Sequence, residues 1–388
     1  MDRYKLCVAT SFPERPQAPH GGVEAVSVNL VRALARLDGL EVHVVTTDRA
    51  DRAAGEVAWD GAIIHRLPWA GGKTLTHATG PGRRQMADFL KRLQPDLVHA
   101  HDTYGLMVKG VALPRVFTIH GFIHEDTRLQ SGGLVWLRWR LWRRVELAGW
   151  ADQPHIISIS PYVRERLCGL TGATIHDIDN PVDEEVFGVN RADGGGVIFS
   201  AALICPRKNT LGLLRAFAKL TAGGVEARLR LAGTASDSAY ERQVRDFIKT
   251  SGLTARVALL GAISRNQIHE ELSRAGVFAL VSFEEGAPMG VAEAMAAGVP
   301  VVTSNRCGMP YMVRDGESGF LVDPNNPDDT ARRLRELLEN GPLRKQMGDK
   351  GREIALDRFH PDRVAQKTYE VYSRVIRDGQ GRGQHGCS

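Results

Sequence analysis

The stretch from residue 277 to residue 304 constrains the fold of this chain more than any other part of its sequence. It begins with an apolar run at 277–281, passes through a turn rich in Gly and Pro, and carries a helical pattern before a second apolar run at 299–302. Pro288 suits the first turn of a helix, and Gly298 suits the left-handed position just past its end. The pattern predicts a strand-helix-strand unit.

Two glutamates flank the first turns of this predicted helix. Glu285 lies at the mouth of the turn and Glu293 lies further along the helix, so at about 1.5 Å per residue they could be as much as roughly 12 Å apart along the axis. The free N–H groups of a helix start form a site for an anion. Two carboxylates on either side of a phosphate site would fit a sugar, a diphosphate and a ribose.

Composition limits the class of protein. The 388 residues, 43% hydrophobic and 24% charged, suit a globular protein of two domains. A net charge of +5 favours anionic ligands or an anionic membrane surface, and it does not by itself indicate nucleic acid. The sequence has no apolar run long enough to span a membrane and no secretory leader, and its five scattered cysteines lack a C-x-x-C pair. These features predict a cytoplasmic protein with reduced cysteines.

Strand-like runs alternate with helical patterns through both halves of the chain, which predicts an α/β fold with two doubly wound sheets. The predicted domains are residues 1–188 and 189–358, joined at a polar stretch, 190–196. A closing helix at 359–377 and a disordered tail at 378–388 complete the chain. Asp177 and Asp179 have the spacing of a metal-binding pair, but they lie far in sequence from the anion site, so no metal site is predicted.

The first half offers two further candidates at the ends of predicted strands. Gly21 and Gly22 follow the first strand and would let the backbone approach a ligand closely, although a plain turn fits the pair equally well. His101 and His120 each follow a strand. We expect His101 to be a half-buried residue that caps a loop. We expect His120 to be functional, because the glycine after it opens space beside the ring.

Residues 134–150 combine leucine, tryptophan and arginine in a helical pattern. As a helix they place one apolar stripe together, formed by Leu134, Leu137, Leu141, Val145 and Ala148. The favoured interpretation is an ordinary amphipathic helix in which Trp139 and Trp142 complete the core. The alternative is a patch that docks on an anionic membrane, which would place the protein peripherally on the inner face of the membrane.

Taken together, the spaced motifs resemble the retaining glycosyltransferases of family 4, of the bacterial glycan and cell-surface polysaccharide type. The strongest match is Glu285-x7-Glu293 followed by Ala-Met-Ala-Ala-Gly-Val-Pro-Val-Val. The other motifs are the His-Gly-Gly loop at 20–22 and the segments 95–101, 180–183, 206–209, 308–310 and 316–322. The resemblance extends from about Lys5 to about Phe359. It implies the GT-B fold, in which two Rossmann-like domains face a central cleft, the first for the acceptor and the second for a nucleotide sugar.

The resemblance also implies roles for individual residues. Glu293 is expected to bind the ribose hydroxyls and Glu285 the donor sugar. Lys208 is expected to neutralise the diphosphate with the amides near Met289 and Gly290, while His120 contacts the sugar near the reacting carbon. The remaining donor-binding positions are Gly21, Gly22, Arg207 and Gly286.

Three positions depart from the family pattern. Ala202 stands where the family commonly has an arginine, six residues before the lysine, and Arg207 could supply the missing charge. Pro288 removes one backbone donor from the turn. Tyr311 stands where the family often has a glutamate that contacts the sugar.

The predicted activity is metal-independent transfer of a hexose from a nucleoside-diphosphate sugar to an acceptor hydroxyl, with retention of configuration and no cofactor. A glycan or lipid-linked acceptor would be used in cell-surface polysaccharide or glycolipid synthesis. Two alternatives remain open. One is a nucleotide-sugar epimerase on the same scaffold, and the other is a non-catalytic protein that only binds nucleotide sugar, for which Ala202 is the main support.

Overall fold

The structure is a computed structural model that describes residues 3–19, 21–48, 55–128, 134–192 and 194–384. The chain divides into two compact units. Of the described residues, the first unit contains 3–19, 21–48, 55–128, 134–181 and 361–384, and the second contains 182–192 and 194–360. Each unit is built on one predominantly parallel sheet.

The first unit contains an eight-stranded sheet in the order β3-β4-β2-β1-β5-β6-β7-β8. Its strands are β1 (Tyr4–Ala9), β2 (Leu40–Asp48), β3 (Gly55–Trp59), β4 (Ala62–Pro68), β5 (Leu97–His101), β6 (Arg115–Ile119), β7 (His155–Ser158) and β8 (Thr174–Asp177). Its helices before residue 181 are α1 (Gly22–Ala35), α2 (Thr74–Thr79), α3 (Pro81–Leu93), α4 (Tyr104–Met107), α5 (Ile123–Arg128), α6 (Val135–Trp150) and α7 (Pro161–Leu167). β3 pairs antiparallel with β4, and the other described pairings are parallel.

The second unit contains a six-stranded parallel sheet in the order β11-β10-β9-β12-β13-β14. Its strands are β9 (Val197–Ala201), β10 (Arg228–Ala232), β11 (Val257–Gly261), β12 (Val277–Leu280), β13 (Val301–Ser304) and β14 (Gly319–Val322). Its helices are α8 (Thr210–Ala222), α9 (Ser238–Thr250), α10 (Arg265–Arg274), α11 (Met289–Ala296), α12 (Pro327–Glu339) and α13 (Gly341–Arg358). Buried side chains form two core clusters in this unit. The predicted α/β class with two doubly wound sheets is confirmed.

The last helix, α14 (Pro361–Gln384), belongs to the first unit. Val364, Tyr372 and Ile376 are buried in the first unit's core with residues of α1 and β1. The predicted tail at 378–388 differs from the structure, because α14 remains helical as far as Gln384. Residues 385–388 lie outside the described residues.

The division between the units also differs from the predicted boundary at 188/189. It falls between Pro181 and Val182, because Val182, Val186 and Phe187 are buried in a core cluster of the second unit. The polar stretch predicted as the linker lies within this unit, where Arg191 donates hydrogen bonds to the carbonyls of Ala275 and Gly298. The domain boundary is therefore set by the apolar residues that pack on the second core, and not by the polar composition of residues 190–196.

α6 is oriented differently from the favoured interpretation of its sequence. Leu134, Leu137 and Leu141, from the predicted apolar stripe, are exposed. Trp139 and Trp142 are half-buried on the inner side, and Trp150 is buried. The helical period was predicted correctly, but it could not show which face packs, and Trp139, Trp142 and Trp150 lie on the inner side in place of the leucines. None of the helices in the described ranges is long and apolar enough to cross a membrane.

Candidate functional site

The turn between β12 and α11 is held in place by the last residues of β13 and by the segment that follows this strand. The Thr303 hydroxyl donates to the carbonyl of Leu280 at 2.7 Å, and the Ser304 hydroxyl donates to the carbonyl of Ser282 at 2.6 Å. The Gly308 N–H donates to the carbonyl of Glu285 at 2.8 Å. These bonds fix the backbone that carries Glu285 and exclude solvent from beneath it.

Gly308 is required for this arrangement by close approach. A Cβ atom at residue 308 would lie 1.7 Å from the carbonyl oxygen of Gly286, so any side chain there would displace the turn. The predicted site residue Gly286 therefore lies directly against the Gly-Met-Pro motif at 308–310. The sequence identified both as parts of one family pattern, but it could not show that they are in contact.

A second loop, between β9 and α8, packs against the same turn. Asn209 has a left-handed backbone with φ of 55°, and its side-chain amide donates to the carbonyls of Val281 at 3.1 Å and Pro324 at 2.8 Å. The Phe283 N–H donates to the carbonyl of Arg207 at 2.8 Å, and the Arg207 guanidinium donates to the carbonyl of Glu284 at 2.8 Å. Asn209 is a positioning residue that the sequence reasoning did not select.

Arg207, Lys208 and Glu285 form one group, which we call the charged cluster. The Glu285 carboxylate is 7% exposed, and its Oε1 atom is paired with the Lys208 ammonium and lies 3.4 Å from the Arg207 guanidinium. Burial opposes ionisation of this carboxyl group, but the charges of Lys208 and Arg207 outweigh it and hold the pKa of Glu285 below its usual value. Glu285 is therefore ionised at neutral pH.

The charged cluster carries two cations for one carboxylate, so its net charge is positive. The Arg207 guanidinium and the Lys208 ammonium approach the same oxygen of the Glu285 carboxylate. A positive, partly dehydrated group of this kind attracts an anion more strongly than the same charges in water would.

The first amides of α11 lie beside this turn. Pro288 precedes the helix with an extended backbone, and the Val291 and Ala292 N–H groups donate to its carbonyl, so the Met289 and Gly290 amides come before the intrahelical hydrogen bonds begin. The sequence predicted Pro288 in the first turn of the helix, but Pro288 precedes the helix, which begins at Met289. A Cβ atom at residue 290 would lie 3.0 Å from the carbonyl oxygen of Ala201, so Gly290 also allows α11 to pack closely on the sheet.

Glu293 lies in a different environment from Glu285. It is half-buried, and burial raises its pKa to about 7, with Asp183 raising it further and Arg265 and His269 opposing the shift. The Asp183 carboxylate is buried and lies 3.0 Å from the Arg265 guanidinium and 3.5 Å from the His269 ring. The sequence analysis included Asp183 only as part of the motif at 180–183. No sequence pattern indicated that Arg265 and His269 lie near Glu293.

Asp183, Glu185 and His269 are close enough together to hold a cation. Arg265 already supplies a positive charge to Asp183, which makes this donor set a poor metal site. Asp177, from the D-x-D pair, is instead bound by Arg164.

His120 belongs to a second group, the histidine cluster, which consists of His99, His101 and His120. His101 Nδ1 lies 2.9 Å from His120 Nε2, and the His120 backbone N–H donates to Asp102 at 3.0 Å. His99 is bonded to the Tyr372 hydroxyl at 2.6 Å and to the Thr118 hydroxyl at 2.7 Å. His101 is 1% exposed and contacts the predicted functional ring, so the expectation of a half-buried loop cap was wrong.

Burial keeps the histidine cluster neutral. It lowers the pKa of His99 to about 3 and lowers the pKa values of His101 and His120, although the Asp102 charge and a hydrogen bond to Asn180 oppose the shift at His120. A neutral imidazole ring can donate from one nitrogen and accept at the other, so the contact between His101 and His120 joins two uncharged rings.

The glycine pair lies at the start of α1. Gly21 has an extended backbone with φ of −175°, and among the described residues nothing lies within 4 Å of a Cβ atom placed on it. Neither backbone strain nor packing therefore requires glycine at residue 21. Gly22 is the first residue of α1. His20, which precedes the pair, lies outside the described residues.

Comparison with known families now identifies the class of protein. Residues 182–354 match the family model "Glycosyl transferases group 1", and residues 20–186 match "Glycosyltransferase Family 4". An uncharacterized glycosyltransferase of Methanocaldococcus jannaschii is 25% identical over 92% of this chain and 95% of its own length. A D-inositol 3-phosphate glycosyltransferase of a Nocardioides species is 27% identical over 92% of this chain and 85% of its own.

Solved structures share the fold. Sucrose-phosphate synthase of Thermosynechococcus elongatus superposes with a TM-score of 0.85 at 20% identity, over 97% of this chain and all of its own. The Anabaena protein HepE, solved with UDP and glucose, gives a TM-score of 0.75 at 18% identity over 96% of this chain and all of its own.

The two family matches lie one after the other along the chain and together with the sheets identify it as a glycosyltransferase with the GT-B fold. The relatives named here are transferases, so the matches favour neither an epimerase nor a non-catalytic binding protein.

Proposed function

We propose that this glycosyltransferase moves a hexose from a nucleoside-diphosphate sugar to an acceptor hydroxyl, with retention of configuration and without a metal ion. The observation that carries the proposal is the charged cluster, in which Lys208 and Arg207 surround the buried Glu285 carboxylate beside the start of α11. The chemistry of that cluster matches a substrate that combines negative phosphates with sugar hydroxyls.

The phosphates have two kinds of partner at this site. Lys208 and Arg207 offer positive charge, and the Met289 and Gly290 amides offer N–H donors at the positive end of a helix. Both become more favourable as the bond to the sugar breaks, because charge then accumulates on the departing diphosphate. A protein that stabilises this leaving group needs neither a general acid nor a divalent cation to release it.

Glu285 has two roles in the proposed reaction. Its ionised carboxylate holds the Lys208 and Arg207 side chains in place before the donor binds, and it accepts hydrogen bonds from hydroxyl groups of the donor sugar. The Gly286 backbone shapes the same turn. Glu293 accepts hydrogen bonds from the ribose hydroxyls of the nucleotide. Because its pKa is raised to about 7, the carboxyl group ionises as the pH rises through that value, and these hydrogen bonds then become stronger.

His120 contacts the donor sugar near the reacting carbon, as a neutral ring held by His101 and Asn180. We assign Gly21 and Gly22 to the binding of the donor phosphates. In the transfer step the bond from the anomeric carbon to the phosphate oxygen breaks, and the acceptor oxygen bonds to that carbon on the same face. The proton of the acceptor hydroxyl moves to the departing phosphate. The acceptor is a glycan or lipid-linked hydroxyl of cell-surface polysaccharide or glycolipid synthesis.

The first experiment is a thermal-shift screen of nucleotide sugars, followed by a release assay with the best donor. We expect nucleoside diphosphate to be released much faster in the presence of monosaccharide or lipid-linked acceptors, and the new glycosidic bond to keep the donor's anomeric configuration by NMR. Release without any acceptor that is accompanied by an epimerised sugar would identify an epimerase. Donor binding without release under any acceptor would identify a non-catalytic protein.

Metal independence is tested in the same assay. We expect 5-fold excess EDTA over added Mg²⁺ or Mn²⁺ to leave the rate of release unchanged within about twofold, because Lys208, Arg207 and the helix amides replace a cation at the leaving group. Loss of activity in EDTA that is restored by one of these ions would contradict this part of the proposal.

A further inference from the structure

The outer face of α6 exposes apolar side chains at an unusual density. Leu134, Trp136, Leu137 and Leu141 are 64%, 60%, 48% and 49% exposed, which places four of the most exposed large apolar side chains of the described chain within two helical turns. Single exposed leucines are common, but a contiguous group of them marks an interaction surface. We call these four residues, with the exposed arginines of the same helix, Arg138, Arg140, Arg143 and Arg144, the α6 outer face.

The inner face of α6 is already fully anchored. Trp150 is buried, and the buried Glu146 carboxylate accepts hydrogen bonds from the backbone N–H groups of Ile123 and His124 at 3.0 and 2.8 Å and from the His124 ring at 2.8 Å. The exposed leucines are therefore not core residues of a misplaced helix. A different partner must cover them if they are covered at all.

The charge of this face has one sign. Arg138, Arg140, Arg143 and Arg144 are exposed, and the helix has no acidic residue other than the buried Glu146. On the neighbouring α5, the Glu125 carboxylate is paired with Arg166 and Arg128. Within the described residues neither Arg140 nor Arg144 has a carboxylate partner.

We propose that the α6 outer face docks on an anionic phospholipid bilayer, with the helix lying in the plane of the surface. The leucines enter the boundary of the acyl chains, Trp136 lies at headgroup level, and the arginines contact lipid phosphates. Lipid fits better than a second protein, because arginines lie on both sides of the leucine row and a bilayer can surround all of them with phosphate. The inference goes beyond the proposed transfer activity and does not depend on it.

The direct test is flotation of the full chain with vesicles. We expect binding to vesicles of 70% phosphatidylcholine and 30% phosphatidylglycerol, and about tenfold weaker binding to phosphatidylcholine alone. Raising the salt to 0.5 M should weaken binding to the anionic vesicles severalfold, because the charges are screened. Equal binding to both vesicle types, or no binding to either, would overturn the proposal.

Two double variants separate the apolar and charged contributions. Leu137→Ser with Leu141→Ser and Arg140→Gln with Arg144→Gln should each reduce vesicle affinity at least tenfold. Matched changes at exposed positions elsewhere, Leu170→Ser with Leu356→Ser and Arg242→Gln with Arg314→Gln, should leave it unchanged.

Circular dichroism and release of nucleoside diphosphate in detergent-free buffer should be the same for all four double variants, because none touches the charged or histidine clusters. A wild-type dimer in size-exclusion chromatography that the α6 variants convert to a monomer would assign the face to a second copy of the chain instead. Equal loss of vesicle binding in the α6 variants and the matched controls would also overturn the assignment to this face.

Discussion

In the charged cluster two cations keep the buried Glu285 ionised, whereas in the histidine cluster burial keeps three imidazole rings neutral. Both clusters stand where strands of a parallel sheet end, one in each unit. The charged cluster carries a net positive charge that can attract a phosphate. The histidine cluster is uncharged, and its rings can form directed hydrogen bonds with an uncharged group. We therefore expect substitutions in the charged cluster to reduce the rate of transfer more than substitutions in the histidine cluster.

The largest effect is expected for Lys208→Met, which keeps the side-chain stem and removes the ammonium group. We expect the rate of transfer to fall about 1000-fold, equivalent to about 4 kcal/mol, because one of the two cations facing the leaving group is lost. Affinity for the nucleoside diphosphate, measured by calorimetry, should fall about tenfold.

Lys219→Met is the matched control for this change, because Lys219 is exposed and pairs with Asp328 in the same unit. Its rate and affinity should match those of the unchanged protein. A Lys208→Met enzyme with full turnover would remove Lys208 from the reaction.

Glu285→Gln tests whether the carboxylate acts on the sugar or only holds the lysine. The change keeps the shape of the side chain and leaves Lys208 and Arg207 without their anionic partner. We expect turnover to fall about 100-fold, or about 3 kcal/mol, while the nucleoside diphosphate binds as tightly as before or more tightly. Glu284→Gln, next to it in the same turn, should be close to unchanged.

A parallel loss of turnover and of diphosphate affinity in Glu285→Gln would show that the carboxylate serves only to place the cations. The role assigned to Glu285 on the sugar would then be wrong, and the charged cluster would be a phosphate site alone.

Much of the fold and part of the site could be predicted from the sequence. Parallel strands are buried on both faces and therefore appear as short apolar runs, so the alternation of strands and helices was recognisable throughout. Glu285 and Glu293 were recognisable because they lie on one short helix and the turn before it. The contact between Lys208 and Glu285 was not predicted, since nothing local connects two loops from distant parts of the chain.

The features that were missed all depend on packing between distant segments. α14 returns to the first unit because Val364 and Tyr372 find their partners in its core, and no composition signal reports that choice. The outward leucines of α6 were expected inside, because periodicity defines a face without defining its direction. The link from His101 to His120 joins two neighbouring strands, and strand order is a property of the sheet.

Glu293 and Glu285 lie in the same unit, but their pKa values are shifted in opposite directions. The neighbours of Glu285 keep it ionised, whereas burial favours the protonated form of Glu293. Its folded pKa of about 7 lies above the value for an unfolded chain, so its contribution to stability is present below about pH 4.5 and is lost as the pH rises through about 7. Glu293→Gln cannot ionise. We expect it to be about 3 kcal/mol more stable than the unchanged protein at pH 8, and nearly equal to it at pH 4.5.

Urea denaturation at both pH values measures this difference, and the exposed Glu339→Gln serves as the control that should show none. The same change should weaken nucleotide binding most at pH 8, where the ionised carboxylate would otherwise accept the ribose hydroxyls. A stability difference that does not change between pH 4.5 and pH 8 would show that folding does not raise the pKa of Glu293.

The smallest effect is expected for His101, which acts through His120. His101→Phe keeps a ring but removes the nitrogen that lies 2.9 Å from His120 Nε2, so His120 loses the hydrogen bond that fixes its orientation and protonated nitrogen. We expect turnover to fall about tenfold, or about 1.4 kcal/mol, with little change in donor affinity. His101→Asn, whose amide can donate near the same place, should recover most of the loss.

His155→Phe is the matched control, because His155 and His176 form a similar ring pair in the same unit, with nitrogens 3.4 Å apart. Its rate should match that of the unchanged protein. If His101→Asn is as slow as His101→Phe and both unfold at lower temperature, then His101 only fills space. If instead the two variants differ in turnover at equal stability, the neutral hydrogen-bonded ring pair contributes to the reaction, as the charged cluster does, by holding a group in place before the substrate arrives.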